Sequence, residues 1–461
     1  MKNKSKIIIG LSLLFVGLYS CRKGDDLYTS PNQSPNATPA SMLSACEVGT
    51  FNSLEGGTVR IASIFMQNSS GVAGQAVQPE QYAPIESDMD NYWNTLYPVM
   101  LNCKLLQDNY GATDPNYKGI AEVLMVMNLG LTTDMWGDCP YSEAFQGASG
   151  NFTPHFDLQQ TVLSTIQTLL DNAITDLAST SNNVVPSKDD FIFGGDVTAW
   201  TKVAHTLKAR YLMRLSKKPS FDAPKILTEL SLGIASNADN CYSKHGSGGA
   251  EGNQWASFLN NRFGYIVASQ TLIDSMGNML DPRTPYYFDT TNNGNIAIGN
   301  ILGSLNPGVS NWGPYVGGLD NTGNVNQSKS IPLVSYAEAL FIQAEAEIRG
   351  GTGTPTTTLN NAIMASVSEV TQGANTGASI ATYTAANTSV HTVILEKWKA
   401  MFADPIESYS DYRRTGFPVL MMNPIGLINY IPKRLPTSEG ERTSNPNAPT
   451  PALSVPVWYA Q

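Results

Sequence analysis

Apolar residues along this chain recur mainly at helical spacing. After Tyr117, the residues Ile120, Val123, Leu124, Met127 and Leu131 fall on one face of a helix. Leu158, Val162, Ile166, Leu169, Leu170, Ala173 and Leu177 form a second apolar stripe, and Asp157 with Gln160 three residues later reads as its capping box. A third helix, capped by Asp196 or Thr198, carries Trp200, Val203, Leu207, Tyr211 and Leu215. Ser335 to Arg349 is a fourth, stopped by Gly350 and Gly351. Thr392 to Tyr412 reads as a fifth, bearing Ile394, Trp398, Met401 and Phe402. Strand-like alternation is scarce, so the expected fold is mainly α.

Between these stripes the composition changes. Residues 66–92 are rich in Gly, Gln, Pro and Asn, and residues 241–330 in Gly, Asn and Ser interleaved with aromatic residues. Residues 351–393 are Thr/Ala/Asn-rich with Glu369 as their only charge, and the chain from Pro424 onward is rich in proline. Long loops in an ordered protein usually carry function. The first two stretches combine length, rings and amides without apolar periodicity, so Tyr82, Tyr92, Trp93, Trp255, Trp312 and Tyr315 are the candidate ligand-binding residues. Trp93 is helically spaced with Leu96 and Tyr97, which also suits a core position.

The first twenty residues read as a leader. Lys2, Lys4 and Lys6 precede the apolar run Ile7 to Gly17, too short for a membrane span of about 20 residues. Cys21, with Leu18 three before it and Ser20 immediately before it, resembles the lipobox of bacterial lipoproteins. There the thiol is lipidated and becomes the new N-terminus. Residues 21–40, with Pro31, Pro35 and Pro39, then form a flexible tether to a single large domain over 41–461. Asp25 and Asp26 loosely resemble signals that send lipoproteins to the exterior face of the outer membrane.

Composition narrows the chemistry. Charged residues are 14% of 461 and the net charge is −10, a balance that repels a phosphate backbone and argues against nucleic-acid binding. Cys46, Cys103, Cys139 and Cys241 make no C-x-x-C pair, and buried free thiols are the expected state. His155, His205, His245 and His391 are scattered, with no pair at i, i+4. No nucleophile elbow, H-E-x-x-H, P-loop or G-x-G-x-x-G is present, so no metal, cofactor or catalytic set is implied. Asp134 and Asp138 around Trp136 could be posed as a glycosidase couple, but an Asp near a helix end and another in a turn is the favoured reading.

Five blocks, in order, resemble the SusD/RagB family of outer-membrane nutrient-binding lipoproteins, in particular its SusD-like branch. They are TTDMWGDCPYSEA from Thr132, GDVTAWTKVAHTLKARYLMRLS from Gly195, YAEALFIQAEAEIRG from Tyr336, Glu396 to Pro418, and YIPKRLPTSEGERTSN from Tyr430. His205, Glu396, Lys433 and Leu435-Pro436 depart from the usual residues of those blocks. The resemblance implies a tetratricopeptide-like helix-pair scaffold with long overlying loops and no enzymatic activity. It also implies capture of oligosaccharides or peptides for a SusC-like TonB-dependent transporter barrel. A lipid-anchored glycoside hydrolase and a helical-repeat scaffold without a small ligand are the competing classes.

Overall fold

In this computed structural model, residues 37–290, 296–320 and 322–461 are described. The leader 1–20, Cys21 and the tether as far as residue 36 lie outside the described residues. The first helix, α1 (Pro39–Leu54), starts where Thr38 accepts a hydrogen bond from the Ser41 amide and where Pro39, lacking an N–H, leaves no donor unpaired. Further helices of eight residues or more are α2 (Gly57–Phe65), α3 (Glu86–Tyr110), α4 (Pro115–Trp136), α5 (Gln159–Leu177), α6 (Val197–Met213) and α7 (Ala223–Leu232). They are followed by α8 (Gln254–Asn261), α9 (Tyr336–Gly350), α10 (Pro355–Val370), α11 (Val390–Ala400) and α12 (Pro405–Thr415).

Helices α3 to α7 pack in succession, each against the next, and α9 extends the layer by packing on α7, α10 and α11. Consecutive helices are neighbours, the geometry of helix-pair repeats, although the links after α4 and α5 are long. Helix α12 returns the chain to α2. The mainly helical class is therefore observed, with two small antiparallel sheets among the described residues. In one, β1 (Ser69–Gly71) lies against β3 (Ile266–Ala268), with Ser69 opposite Ala268; in the other, β2 (Cys241–Tyr242) meets β4 (Pro332–Val334). The first sheet draws the two aromatic-bearing loop stretches together.

Local signals behave as their chemistry dictates, with three corrections. Asp196 caps α6 through the Thr198 and Ala199 amides, Ser335 caps α9 through the Glu338 amide, and Gly351 ends α9 with φ 63°. Asp157 does not cap α5. Its carboxylate takes the amides of Tyr141 and Ser142, pinning the turn after α4, while Asp138 accepts from the Gln159 amide. The expected fifth helix is two helices, α11 and α12, because Pro405 disfavours helical geometry at Asp404. The Thr/Ala/Asn-rich stretch 351–393 contains α10, whose Leu359, Ala362, Ile363 and Val367 bury one face.

A buried ionic network bolts the layers together. Arg210 bonds Glu338, Arg214 bonds Asp134 and Glu407, Lys397 reaches Asp411 at 2.9 Å, and Arg414 grips Glu345 and Asp411. Burial alone would raise the Glu345 carboxyl, but Arg414 and Arg349 override it and hold it at about 2. Such pairs add little net stability over apolar packing, yet losing one partner costs about 3–5 kcal/mol. The network consumes Asp134, half of the posed glycosidase couple, and Asp138 is engaged at the start of α5. The four cysteines among the described residues, Cys46, Cys103, Cys139 and Cys241, are free and buried.

Candidate functional site

Five of the six aromatic residues picked from the loops are packed in the core, which corrects the expectation that their faces meet ligand. Trp255 and Trp312 are fully buried and touch edge to face at 4.7 Å; Trp255 also stacks on Phe402 at 6.4 Å. Trp312 donates its indole N–H to Ser69 Oγ at 2.9 Å. Tyr315 is buried and donates to Glu369 at 2.8 Å. Tyr82 is buried, and its hydroxyl accepts from the Asn423 amide at 3.3 Å. Trp93 lies among Tyr97, Trp136 and Phe156, at 4.7, 5.5 and 6.1 Å. Trp93 and Trp255 sit on the buried faces of α3 and α8, and Tyr82, Trp312 and Tyr315 share another reason. The polar loops fold back over the helices, and their large rings supply the apolar area that seals them down.

Tyr92 is different. It is half-buried and lines a groove of about 100 Å³ with Arg60, Gln75, Asp88, Asn91 and Phe258. Asp88, Asn91 and Tyr92 stand at i, i+3 and i+4 in the first two turns of α3, so the helix presents them on one face. Gly57, the first residue of α2, lets the Tyr92 ring lie on its backbone: a Cβ there would sit 1.9 Å from Tyr92 Cε1. Arg60, one turn further along α2, places its guanidinium carbon 4.4 Å from the Phe258 ring centroid. Phe258 projects from α8 and rests on Trp312 at 6.1 Å, with Trp255 behind it. The two tryptophans therefore brace the ring that holds Arg60.

Charge in the groove is unbalanced. Arg60 makes one long bond, 3.4 Å from Nη1 to the Glu55 carbonyl, and has no carboxylate partner among the described residues. Burial pulls the guanidinium down to about 10, helped by Arg262, while Tyr92 opposes the shift. Burial also raises the Tyr92 phenol and the Asp88 carboxyl. A flat ring, an amide, a carboxylate and a cation thus converge on one concavity, the equipment for stacking on a pyranose face and bonding its hydroxyls.

Two larger hollows carry comparable residue types, Phe51, Asn52, Lys244 and Glu251 in one and Tyr383, Asn387, Glu396 and Lys399 in the other. One, of about 420 Å³, is lined by Phe51, Phe191 and His245, but His245 is already bonded to Glu55 at 2.9 Å. Another, of about 470 Å³, lies beside Glu396 and Lys399, which pair with each other at 2.8 Å. Among the described residues no cluster of three or more His, Cys, Asp or Glu could hold a metal, and no helix is long and apolar enough to cross a membrane. Sequence reasoning missed Arg60, Gln75, Asp88, Asn91 and Phe258. A usable signal was Arg60 itself, the lone charge in the apolar run GTVRIASIF.

Solved structures share this architecture. A SusD/RagB family protein from Bacteroides thetaiotaomicron is 22% identical, covering 92% of this chain and 99% of that one, with a TM-score of 0.74. A chitin-binding SusD homolog from Flavobacterium johnsoniae is 20% identical over 91% of this chain and 98% of its own, with a TM-score of 0.79. A further chitin-binding protein is 22% identical over 92% and 100%, with a TM-score of 0.78. At these identities the likeness is one of fold. No curated protein matches. The SusD-like family profile, described as starch-binding and associating with the outer membrane, matches residues 31–436, and the chain belongs to that family.

Proposed function

We propose that this protein captures oligosaccharides in the Arg60–Tyr92–Phe258 groove at the cell exterior, held to the outer membrane by lipid on Cys21. It then hands them to a SusC-like TonB-dependent transporter barrel. The observation that carries the capture reading is the convergence of an accessible ring, amides, a carboxylate and an unpaired cation on one groove in a family described as starch-binding. Two solved relatives described as chitin-binding support a glycan over a peptide.

The groove's lining supports binding over hydrolysis. Glycosidases of the usual kind need two carboxyl groups flanking the bond, and Asp88 is the one carboxylate lining the groove. The transporter reading draws support from an exposed apolar surface. Ile301 is 69% exposed, Val419 78%, Met421 77% and Leu427 70%, and their loops touch, since a Cβ on Gly303 would lie 2.8 Å from Pro424. Exposed apolar side chains on touching loops are the kind of feature that marks an interaction surface.

A glycan array probed with the soluble form lacking residues 1–21 tests capture: binding to a restricted set of oligosaccharides, all released by competing free glycan, is expected. Absence of any glycan binding, or turnover of a bound glycan, would overturn the reading. Gentle detergent extraction and pull-down of the full chain should recover one large outer-membrane protein, and recovery should fall in a Val419→Asp/Met421→Asp variant.

A further inference from the structure

We infer that the preferred ligand of the groove is an acidic oligosaccharide whose uronate carboxylate docks on Arg60. This rests on the glycan-capture reading and adds the substrate class.

The first argument is the pairing of arginines. In this acidic chain the buried guanidiniums are all matched to anions or carbonyls: Arg210 to Glu338, Arg214 to Asp134, Arg283 to Asp281, Arg414 to Glu345. Even Arg413, which has no carboxylate, donates to the Asp134 carbonyl at 2.6 Å. Arg60, half-buried at the groove, departs from that pattern. Arg60 has one stretched carbonyl contact, whereas Arg262 beside it is exposed to solvent and needs no protein partner. With 38 acidic side chains in the sequence against 28 basic ones, a partner was available in composition. The fold leaves this position open.

The second argument is what surrounds Arg60. Its guanidinium is pressed on the Phe258 ring, itself held by the buried tryptophans, so its position is fixed rather than solvated at the end of a mobile stem. The charged and titratable groups that act on it are Tyr92 and Arg262; Asp88 lines the same groove yet does not offset its charge. A neutral sugar closing the groove would strip water from an unpaired cation, whereas a carboxylate would supply the planar two-point partner a guanidinium fork fits. Asp88, Asn91 and Gln75 remain to receive ring hydroxyls, and Tyr92 to cover a ring face.

A sulfate ester is the other oxyanion a sugar can carry, and the experiment separates the two. Calorimetry on the soluble form lacking residues 1–21 would compare uronate trisaccharides (galacturonate, glucuronate, mannuronate), their methyl esters, a sulfated trisaccharide and chitotriose. We expect at least one free uronate to bind about tenfold or more tighter than its own methyl ester, a charge-assisted bidentate contact being worth at least that. The preference should weaken with rising salt and disappear in Arg60→Gln. Arg60→Lys should retain part of it, and the ester comparison on the unaltered protein needs no variant to fold. Esters binding as well as acids, a preference that survives in Arg60→Gln, or tightest binding by the sulfated sugar would overturn the inference. If chitotriose and the esters bind while the acids do not, the inference fails and glycan capture stands. If none of these sugars binds, the inference fails, and the glycan array decides whether capture stands.

Discussion

Replacing Trp312 by Ala empties a position at the centre of an aromatic stack. The ring is fully buried, meets Trp255 at 4.7 Å and Phe258 at 6.1 Å, and donates to Ser69 at 2.9 Å. Truncating a buried aromatic to Ala costs about 3–5 kcal/mol, transfer and cavity together. Ser69 keeps a partner in Ser63 at 2.9 Å, so the lost hydrogen bond adds only about 1 kcal/mol. An unfolding entropy of about 2.1 cal/mol/K per residue, over a folded body of roughly 420 residues, gives about 0.9 kcal/mol/K. A loss of about 4–6 kcal/mol then lowers Tm by about 4–7 °C. Differential scanning calorimetry, with a denaturant midpoint as a second measure, reads this directly. Glycan affinity should fall with it, because Phe258 loses its support. An unchanged Tm with abolished binding would refute the reasoning and put the Trp312 ring at the ligand.

Gly57→Ala should push the Tyr92 ring off its seat and weaken glycan binding about tenfold or more, read by calorimetry, since the added Cβ would lie 1.9 Å from that ring. Arg214→Met should cost about 3–5 kcal/mol by denaturant titration, because Asp134 and Glu407 are left buried with fewer partners. Stability should fall as pH rises from about 5 to 9: burial, reinforced for Glu47 by Asp190, pushes Glu47 up to about 10 and Glu122 to about 8. The folded chain then holds protons that the unfolded chain has lost above about pH 4.3, so their contribution is full below that pH and disappears as pH climbs through the folded values. Glu47→Gln should flatten the decline in a Tm-against-pH series. At the acid end, Glu345 contributes stability that is present above about pH 4.3 and lost as pH falls toward 2. Cys21→Ala should release the protein from the membrane fraction and abolish fatty-acid labelling, because acyl chains supply the anchoring.

The scaffold was readable where burial follows a single period. The α5 stripe from Val162 to Leu177 and the Ser335 cap of α9 are local facts, and local chemistry decides them. Helix α10 was missed because its apolar positions are diluted by Thr, Asn and Ser, and α3 because Pro98 and many polar residues leave its stripe thin. The candidate groove was half legible. The two stretches chosen, 66–92 and 241–330, do meet, and both line the groove through Gln75, Asp88, Phe258 and Ile266. The choice of rings erred because sequence carries no measure of which face a loop turns inward. Trp255 and Trp312, set among Gly and Asn, read as exposed, yet the β1–β3 pairing lays their segment on the core. Arg60 escaped notice because its significance is the partner it lacks, and that is visible only once every other guanidinium has been placed.

Calorimetric titration of the soluble form and its Tyr92→Ala variant, using the strongest glycan from the array, tests the central claim most directly. Tyr92 is only partly buried at the groove, so its truncation should weaken binding about tenfold or more, as at a ring-stacking hot spot, with a smaller loss of Tm than Trp312→Ala. Full affinity in the variant would contradict the account and move the ligand to another surface.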